Sequence, residues 1–394
     1  MTVAEVKDLD GRYAMATYPR TPVEFVRGEG ARLWDSEGNE YLDFFAGLSV
    51  HNAGHCHPRI VEAIREQAGS LIGTSNLYLS ENAALLAERL SESSLGGRVF
   101  LCNSGAEASE CAIKLVRKRA HSRGIERPEI VVLEGGFHGR TLAALAATPK
   151  LAREDLFGPL PAGFISVARE DPDALRAAVG PATAAVMIEP IQGEAGVYPI
   201  ADEVLIAARK ACDEHGALLV FDEVQCGMGR TGTLWAYEQL PVRPDLITAA
   251  KALGGGLPVG ACVTTREDAD VLTLGDHGST FAGAPVTAAA ALAALEVIDN
   301  ADLLASVTTL GARFRGGLAA LNGVAEVRGR GLMVGARLDE EIVAAEVSSA
   351  ALERGLVINV PEPDTLRFLP PLVIGEAEVD EALEKLAAAC ASCS

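Results

Sequence analysis

Positive charge is what this sequence most lacks. Lys and Arg number 34 against 54 Asp and Glu, a formal balance of −20 over 394 residues. Such a chain is repelled by phosphate backbones and by anionic lipid. Its one basic block, Lys114 to Arg119, closes a helical pattern. Neither nucleic acid nor a membrane surface is expected as a partner. The opening residues, MTVAEVKDLD, are acidic and lack an apolar centre, so no signal peptide is expected there. No apolar run reads as a membrane span. The longest, Phe281 to Ile298, is mostly alanine with Pro285 near its start and Glu296 near its end, which suits a buried helix. The eight cysteines are scattered, mostly within apolar stretches such as those around Cys102, Cys212 and Cys262. That pattern reads as reduced thiols in a cytoplasmic protein. Cys390 and Cys393 have C-x-x-C spacing, with no second pair to complete a zinc site. There are no repeats, no low-complexity segments, no G-x-x-x-x-G-K-S/T, no Ser-His-Asp set and no metal-ligand spacing.

The length allows one large core and a second, smaller one. Short apolar runs at Val99 to Cys102, Ile130 to Leu133, Ala184 to Ile188, Ala217 to Phe221 and Leu246 to Thr248 show no polar alternation, as strands buried on both faces do. Helical patterns lie between them, including Asp202 to His215 before Gly216. Pro58 suits a first helical turn and Ser80 an N-cap. This is an α/β pattern with a mostly parallel sheet. Ala31 to Phe44 reads as a hairpin around Asp35 to Gly38. Beyond Gly283 the pattern changes to long helices and short strands, including one run from Val327 to Leu338, the signature of a smaller α+β unit. The expected division is an N-terminal segment 1–45, a large unit 46–295 and a small unit 296–394.

In open parallel sheets, ligands sit beyond the carboxyl ends of the strands. After Cys102 comes Asn103-Ser104-Gly105-Ala106-Glu107 and then a helix, a backbone anion site. A Ser104–Glu107 capping box is the plainer reading and is compatible with it. After Phe221 comes Asp222, a carboxylate that needs a cation or several hydrogen bonds, or simply a helix cap. After Thr248 comes Lys251, then three glycines. Lysine is scarce here, seven residues in all. One in apolar surroundings loses its proton easily and attacks aldehydes, whereas one snorkelling from a strand end does not. After Leu133 comes Gly135 to Thr141, a glycine loop carrying Phe137, His138 and Arg140. Arg140 suits a carboxylate, and His138 alone reads as structural. The interval from Asp222 to Lys251 suits one strand-helix-strand step. Phosphate cradle, carboxylate, reactive lysine and aromatic loop together suit pyridoxal 5'-phosphate.

Eight segments in order strengthen this: GHCHP (Gly54 to Pro58), TSNLY (Thr74 to Tyr78), CNSGAEA (Cys102 to Ala108), FHGRT (Phe137 to Thr141), EPIQGE (Glu189 to Glu194), DEVQCGMGRTG (Asp222 to Gly232), KALGGGLPVGA (Lys251 to Ala261) and HGSTFAG (His277 to Gly283). The chain resembles the class III aminotransferases of fold type I, most closely the acetylornithine branch, from about Thr21 to Ile374. The resemblance implies that Lys251 carries the cofactor as a Schiff base and that Asp222 pairs with the ring nitrogen. Val224 and Phe137 would pack on the ring faces, with Gln225 near the ring hydroxyl. Ser104, Gly105 and Ala106 would hold the phosphate, and Thr280 that of the other subunit in a homodimer with shared sites. Arg140, Arg367 with Glu194 as its gate, and Ser279 would serve the substrates, N-acetylornithine and 2-oxoglutarate. Ala284, His51 and Ser109 each stand where the family usually has Asn. Other amine donors (ornithine, 4-aminobutyrate, succinylated diamines, acylated lysine), a racemase or aminomutase on the same fold, and a non-catalytic scaffold remain as alternatives.

Overall fold

The five apolar runs become strands of one sheet, and alternate residues along them enter two different cores. In this computed structural model, which describes residues 1–393, the sheet runs Gly96–Cys102, Gly260–Thr265, Leu246–Ala249, Leu218–Asp222, Thr183–Ile188, Glu129–Leu133, Phe164–Val167. Val131, Val186, Leu219 and Ile247 face one core. Val132, Met187, Val220 and Leu246 face the other, against the helix Gly105–Ser122. Burial on both sides explains the absence of polar alternation. Each fully buried Val, Leu or Ile contributes about 1.5–3 kcal/mol relative to an exposed one. Gly260–Thr265 pairs antiparallel with both neighbours, and the other observed pairings in the sheet are parallel. The mostly parallel α/β expectation holds.

Two local expectations fail. No α-helix joins Leu218–Asp222 to Leu246–Ala249. The crossing is irregular, with a single 3-10 turn at Ala236–Gln239, because glycines 227, 229 and 232 and prolines 241 and 244 interrupt any helical run. The stretch from Val327 to Leu338 is not one strand. It belongs to an antiparallel hairpin, Val324–Arg330 and Met333–Leu338, turning at Gly331 with φ +54. The helix Val3–Tyr13 and the strands Phe25–Glu29 and Phe164–Val167 carry too little periodicity to be read beforehand.

A four-stranded antiparallel sheet, Val324–Arg330, Met333–Leu338, Thr365–Phe368, Asn359–Glu362, lies towards the C-terminal end with the helices Ala301–Ala319, Ala344–Glu353 and Glu376–Ser392. A third sheet joins the N-terminal strands Phe25–Glu29, Arg32–Asp35 and Glu40–Asp43 to Leu356–Val357. Phe44, Phe314 and Phe368 stack edge to face at 5.2 and 5.1 Å, so the N-terminal segment packs on the C-terminal sheet. Among the described residues no helix is long and apolar enough to cross a membrane, and no cluster of His, Cys, Asp or Glu could hold a metal ion.

Candidate active site

A cavity of about 440 Å³ opens at the carboxyl edge of the large sheet, lined from four of the five strand ends singled out above and by Glu189 from the fifth. Lys251 enters it just past Leu246–Ala249 with φ +48, in the left-handed region. A residue with a Cβ held there costs about 1–3 kcal/mol, a strain that clusters at functional sites. No hydrogen bond to the Lys251 ammonium is found among the described residues. Desolvation lowers its pKa below 10.5, although Glu194, Glu189 and Asp222 pull the other way. A desolvated, unbonded amine is a nucleophile in waiting.

Asp222 is the last residue of its strand and 4% exposed. One oxygen accepts from the Val224 amide at 3.1 Å, and the other meets His138 Nδ1 at 2.8 Å. Burial alone would lower the His138 imidazole, but Asp222 and Glu189 outweigh it and hold it above 6.5. His138, expected to be merely structural, is therefore the buried partner that Asp222 needed. Glu189 follows Thr183–Ile188 as Asp222 follows its own run. Burial raises it to about 8 against the opposing pull of His138, and it accepts from the Phe137 amide at 2.7 Å. That bond ties the Gly135-to-Gly139 loop to the sheet edge. Gly139 has φ +139, and a Cβ there would lie 2.8 Å from that of Ala106.

The expected capping box is displaced by one residue. Ser104 Oγ accepts from the Glu107 amide at 3.2 Å, but Glu107 reaches back to the Asn103 amide, at 2.6 Å, and to the Asn103 side chain. The amides of Gly105 and Ala106, at the helix start, keep no intrahelical partner, and both residues line the cavity. Gly105 is required by close approach, since a Cβ would sit 2.9 Å from a Val224 methyl. Phe137 and Val224 both line the cavity, and the Arg140 guanidinium lies exposed at its mouth, 5.5 Å from the Phe137 ring centroid.

Behind Glu194 and Gln225, which line the cavity, Arg367 is 1% exposed and paired with Glu194, Nη1 to Oε1 at 2.6 Å. Asn359 Oδ1 accepts from Arg367 Nη2 at 2.6 Å and from Nε at 3.1 Å. Gln225 bridges the pair, donating to Glu194 at 3.2 Å and accepting from Arg367 at 3.3 Å. Asn359 carried no signal in the sequence, because its place opposite Arg367 depends on the register of two strands. Ser279 and Thr280 are not brought into this cavity. Ser279 Oγ accepts from Asn103 at 2.8 Å, and exposed Thr280 lines a second cavity of about 430 Å³ with Thr74, Asn76 and Phe281.

The three departures have physical readings. Ala284 occupies the N-cap of Pro285–Ile298 without any side-chain hydrogen bond, a position Asn would cap. Ser109 is buried with no partner for its hydroxyl among the described residues. His51 stacks 4.4 Å from the His55 ring, and burial, then His55, lowers it to about 4, so it is neutral beside the cavity residue Val50.

The residues fit pyridoxal phosphate: a desolvated lysine for an aldehyde, a hydrogen-bonded carboxylate for a ring nitrogen and a helix start with open amides for a phosphate. On this sheet they define a pyridoxal-phosphate enzyme of fold type I. Comparison with known proteins agrees. The chain belongs to the class-III aminotransferase family, whose profile matches residues 13–390. It is 50% identical over 380 residues to the acetylornithine aminotransferase of Caldanaerobacter subterraneus subsp. tengcongensis, covering 95% of this chain and 96% of that one. Among solved structures it resembles the N-acetylornithine aminotransferase of Stenotrophomonas maltophilia at 41% identity and TM-score 0.85, covering 98% of each chain. It also resembles the ornithine aminotransferase of Toxoplasma gondii at 34% identity and TM-score 0.94, covering 100% of this chain and 95% of that one. The protein is thus a pyridoxal-phosphate-dependent aminotransferase.

Proposed function

We propose that the enzyme moves the terminal amino group of N2-acetyl-L-ornithine to 2-oxoglutarate, giving N-acetylglutamate 5-semialdehyde and glutamate in arginine biosynthesis. The observation that carries this reading is the unequal pair of arginines around one cavity. Arg140 stands open at the mouth, while Arg367 is quenched by Glu194. A donor whose single carboxylate and acylated nitrogen share one carbon, with no carboxylate beside the reacting terminal amine, needs only the first. A dicarboxylate acceptor needs both, so Glu194 turns aside and frees Arg367 for the acceptor's α-carboxylate. One cavity then serves two unlike substrates by charge pairing. The names carried by the relatives support the same donor.

When bound, pyridoxal phosphate supplies an aldehyde for the amine and a ring that draws electrons from the reacting carbon. Lys251 would hold the cofactor covalently, and its freed Nζ would carry the proton from the donor's amine-bearing carbon to the cofactor's former aldehyde carbon, and back again for the acceptor. Asp222, oriented by His138, keeps a proton on the ring nitrogen. Ser104, Gly105 and Ala106 grip the phosphate. Phe137 and Val224, which line the cavity, would pack on the ring, and Gln225 would serve its hydroxyl. Arg140 holds the donor's carboxylate. Ser279 and Thr280 serve the active site of a second copy in a cytoplasmic homodimer. That reading is supported by exposed Leu77 (88%), Leu79 (101%) and Phe281 (73%) close to the second cavity, since such apolar groups are normally covered. A segment 1–45 that packs with a unit 296–394, apart from a unit 46–295, is supported by Phe44 against Phe314 and by the pairing of Glu40–Asp43 with Leu356–Val357.

The test is the visible spectrum of the protein with pyridoxal phosphate, before and after N-acetylornithine without 2-oxoglutarate. The expected result is a Schiff-base band, absent in Lys251→Ala, that bleaches with the donor. A band bleached only by ornithine or 4-aminobutyrate would replace the donor. No release of glutamate when 2-oxoglutarate is added to the donor-treated enzyme would overturn transamination.

A further inference from the structure

Glu194 sits at the tip of a short hairpin, Ile191–Gln192 and Tyr198–Pro199, turned by Gly193 to Val197. Three features hold that tip. Tyr198 has the guanidinium carbons of Arg169 and Arg328 each 3.9 Å from its ring centroid. Two guanidinium groups do not fit on one face at that distance, so the ring is sandwiched. Arg328, 8% exposed, also donates from Nε to the Gly196 carbonyl at 2.7 Å and from Nη2 to Thr365 Oγ1 at 3.2 Å. Finally, a Cβ on Gly335 would lie 2.7 Å from the Gly196 carbonyl and 3.0 Å from Val197 Cβ, so the tip rests on a bare stretch of sheet.

These contacts share one row. Arg328 pairs with Gly335, Gly335 with Arg367 and Arg367 with Asn359 across four antiparallel strands. Residues directly opposite one another point to the same face. The face that seats the hairpin therefore also presents Arg367, with Gly335 between it and Arg328 and with Asn359 on its other side. The hairpin cannot shift without changing the distance from Glu194 to Arg367.

From this we propose that Arg328, Tyr198 and Gly335 are positioning residues for the Glu194–Arg367 pair. They hold the hairpin backbone still, so that exchange between the paired and open arrangements is a rotation of the Glu194 side chain alone. This rests on the two-substrate reading above. Loosening the seat disfavours the paired arrangement, which the donor with no carboxylate beside its reacting amine requires, and leaves the open one, which the dicarboxylate uses, largely intact.

The experiment uses the holoenzyme with Tyr198→Ala, Tyr198→Phe and Gly335→Ala, with Arg328→Lys as a further member. Hydrogen exchange of the peptide covering residues 191–199 reads the backbone directly, independent of activity. Tyr198→Ala and Gly335→Ala are expected to speed it roughly tenfold, from the loss of two stacked cations or the intrusion of a methyl. Single-turnover bleaching by N-acetylornithine should fall by about the same factor, while the return half-reaction with 2-oxoglutarate changes less than about twofold. Tyr198→Phe keeps the ring and rescues both readouts. Unchanged exchange in Tyr198→Ala and Gly335→Ala overturns the proposal. So does an equal fall of both half-reactions, which would mark a merely structural role. Wild type run alongside separates the two readings. If it ignores N-acetylornithine, the donor assignment fails, and the seat is scored by exchange and by the ω-amine that does bleach the band.

Discussion

Replacing Glu223 by glutamine should make the protein less sensitive to alkali. Glu223 is 1% exposed, and among the described residues no cation pairs with it. Its carboxylate accepts from the Ala236 and Tyr237 amides, at 2.6 and 2.8 Å. Burial outweighs those two bonds and raises its pKa from 4.5 to about 8. Between those values the folded chain keeps a proton that the unfolded chain has released. Stability therefore falls as pH rises through this window, and the loss is complete above the folded pKa. From pH 5.5 to 8.5 the fall is about 3 kcal/mol, at 1.36 kcal/mol per tenfold change in proton concentration. For a chain of this length that is roughly 4 °C in Tm. The substituted amide has no proton to lose, and its carbonyl can still accept from one of the two backbone amides. The Tm difference between variant and wild type, followed by calorimetry across that range, should move in the variant's favour by about this amount. Glu189, raised in the same direction, is common to both proteins and cancels in the difference. A difference that stays constant with pH, or that favours wild type increasingly towards pH 8.5, would refute the reasoning.

Other outcomes follow from the same geometry. Arg140→Gln removes the open carboxylate anchor and should cut kcat/KM for the donor about 100-fold, mostly through KM, since a charged hydrogen-bonding pair is worth about 2–3 kcal/mol. His138→Phe leaves Asp222 buried without its ring partner; titration of apoenzyme with pyridoxal phosphate should show at least about tenfold weaker binding. Gly105→Ala drives a methyl into Val224 and should destabilise the apoenzyme by about 1–3 kcal/mol, read as a lower Tm, and weaken cofactor binding in the same titration.

The strands, the glycine turns and the residues that end each strand are legible because burial on both faces leaves a plain mark: an apolar run and then one charged residue. Asp222 and Lys251 stand out in that way. Glu189 obeys the same rule but is hidden at the start of a longer motif. His138 is easily undervalued, because nothing in a linear text shows that its ring meets a carboxylate 84 positions away. Asn359, Arg328 and Gly335 are not legible at all. Their roles depend on which strands pair in the C-terminal sheet and in what register, and several registers are compatible with the same alternation. The length of the crossing from Asp222 to Lys251 suggests a helix that is not there. Its glycines and prolines are the better guide.

The parallel pairing of Leu356–Val357 with Glu40–Asp43 has a bearing on how the chain assembles during synthesis. The early strand finds its neighbour only after about 310 further residues have been made, which at roughly 5–20 residues per second is some 15–60 s on the ribosome. The central sheet, whose strands all lie between Gly96 and Thr265, can close during that wait. A nascent chain stalled before Leu356 would then carry a formed lysine cavity and an unpaired N-terminal edge, the state in which edge-to-edge aggregation is a hazard. Chaperone dependence in the cell should track that interval, not the overall stability of the finished enzyme.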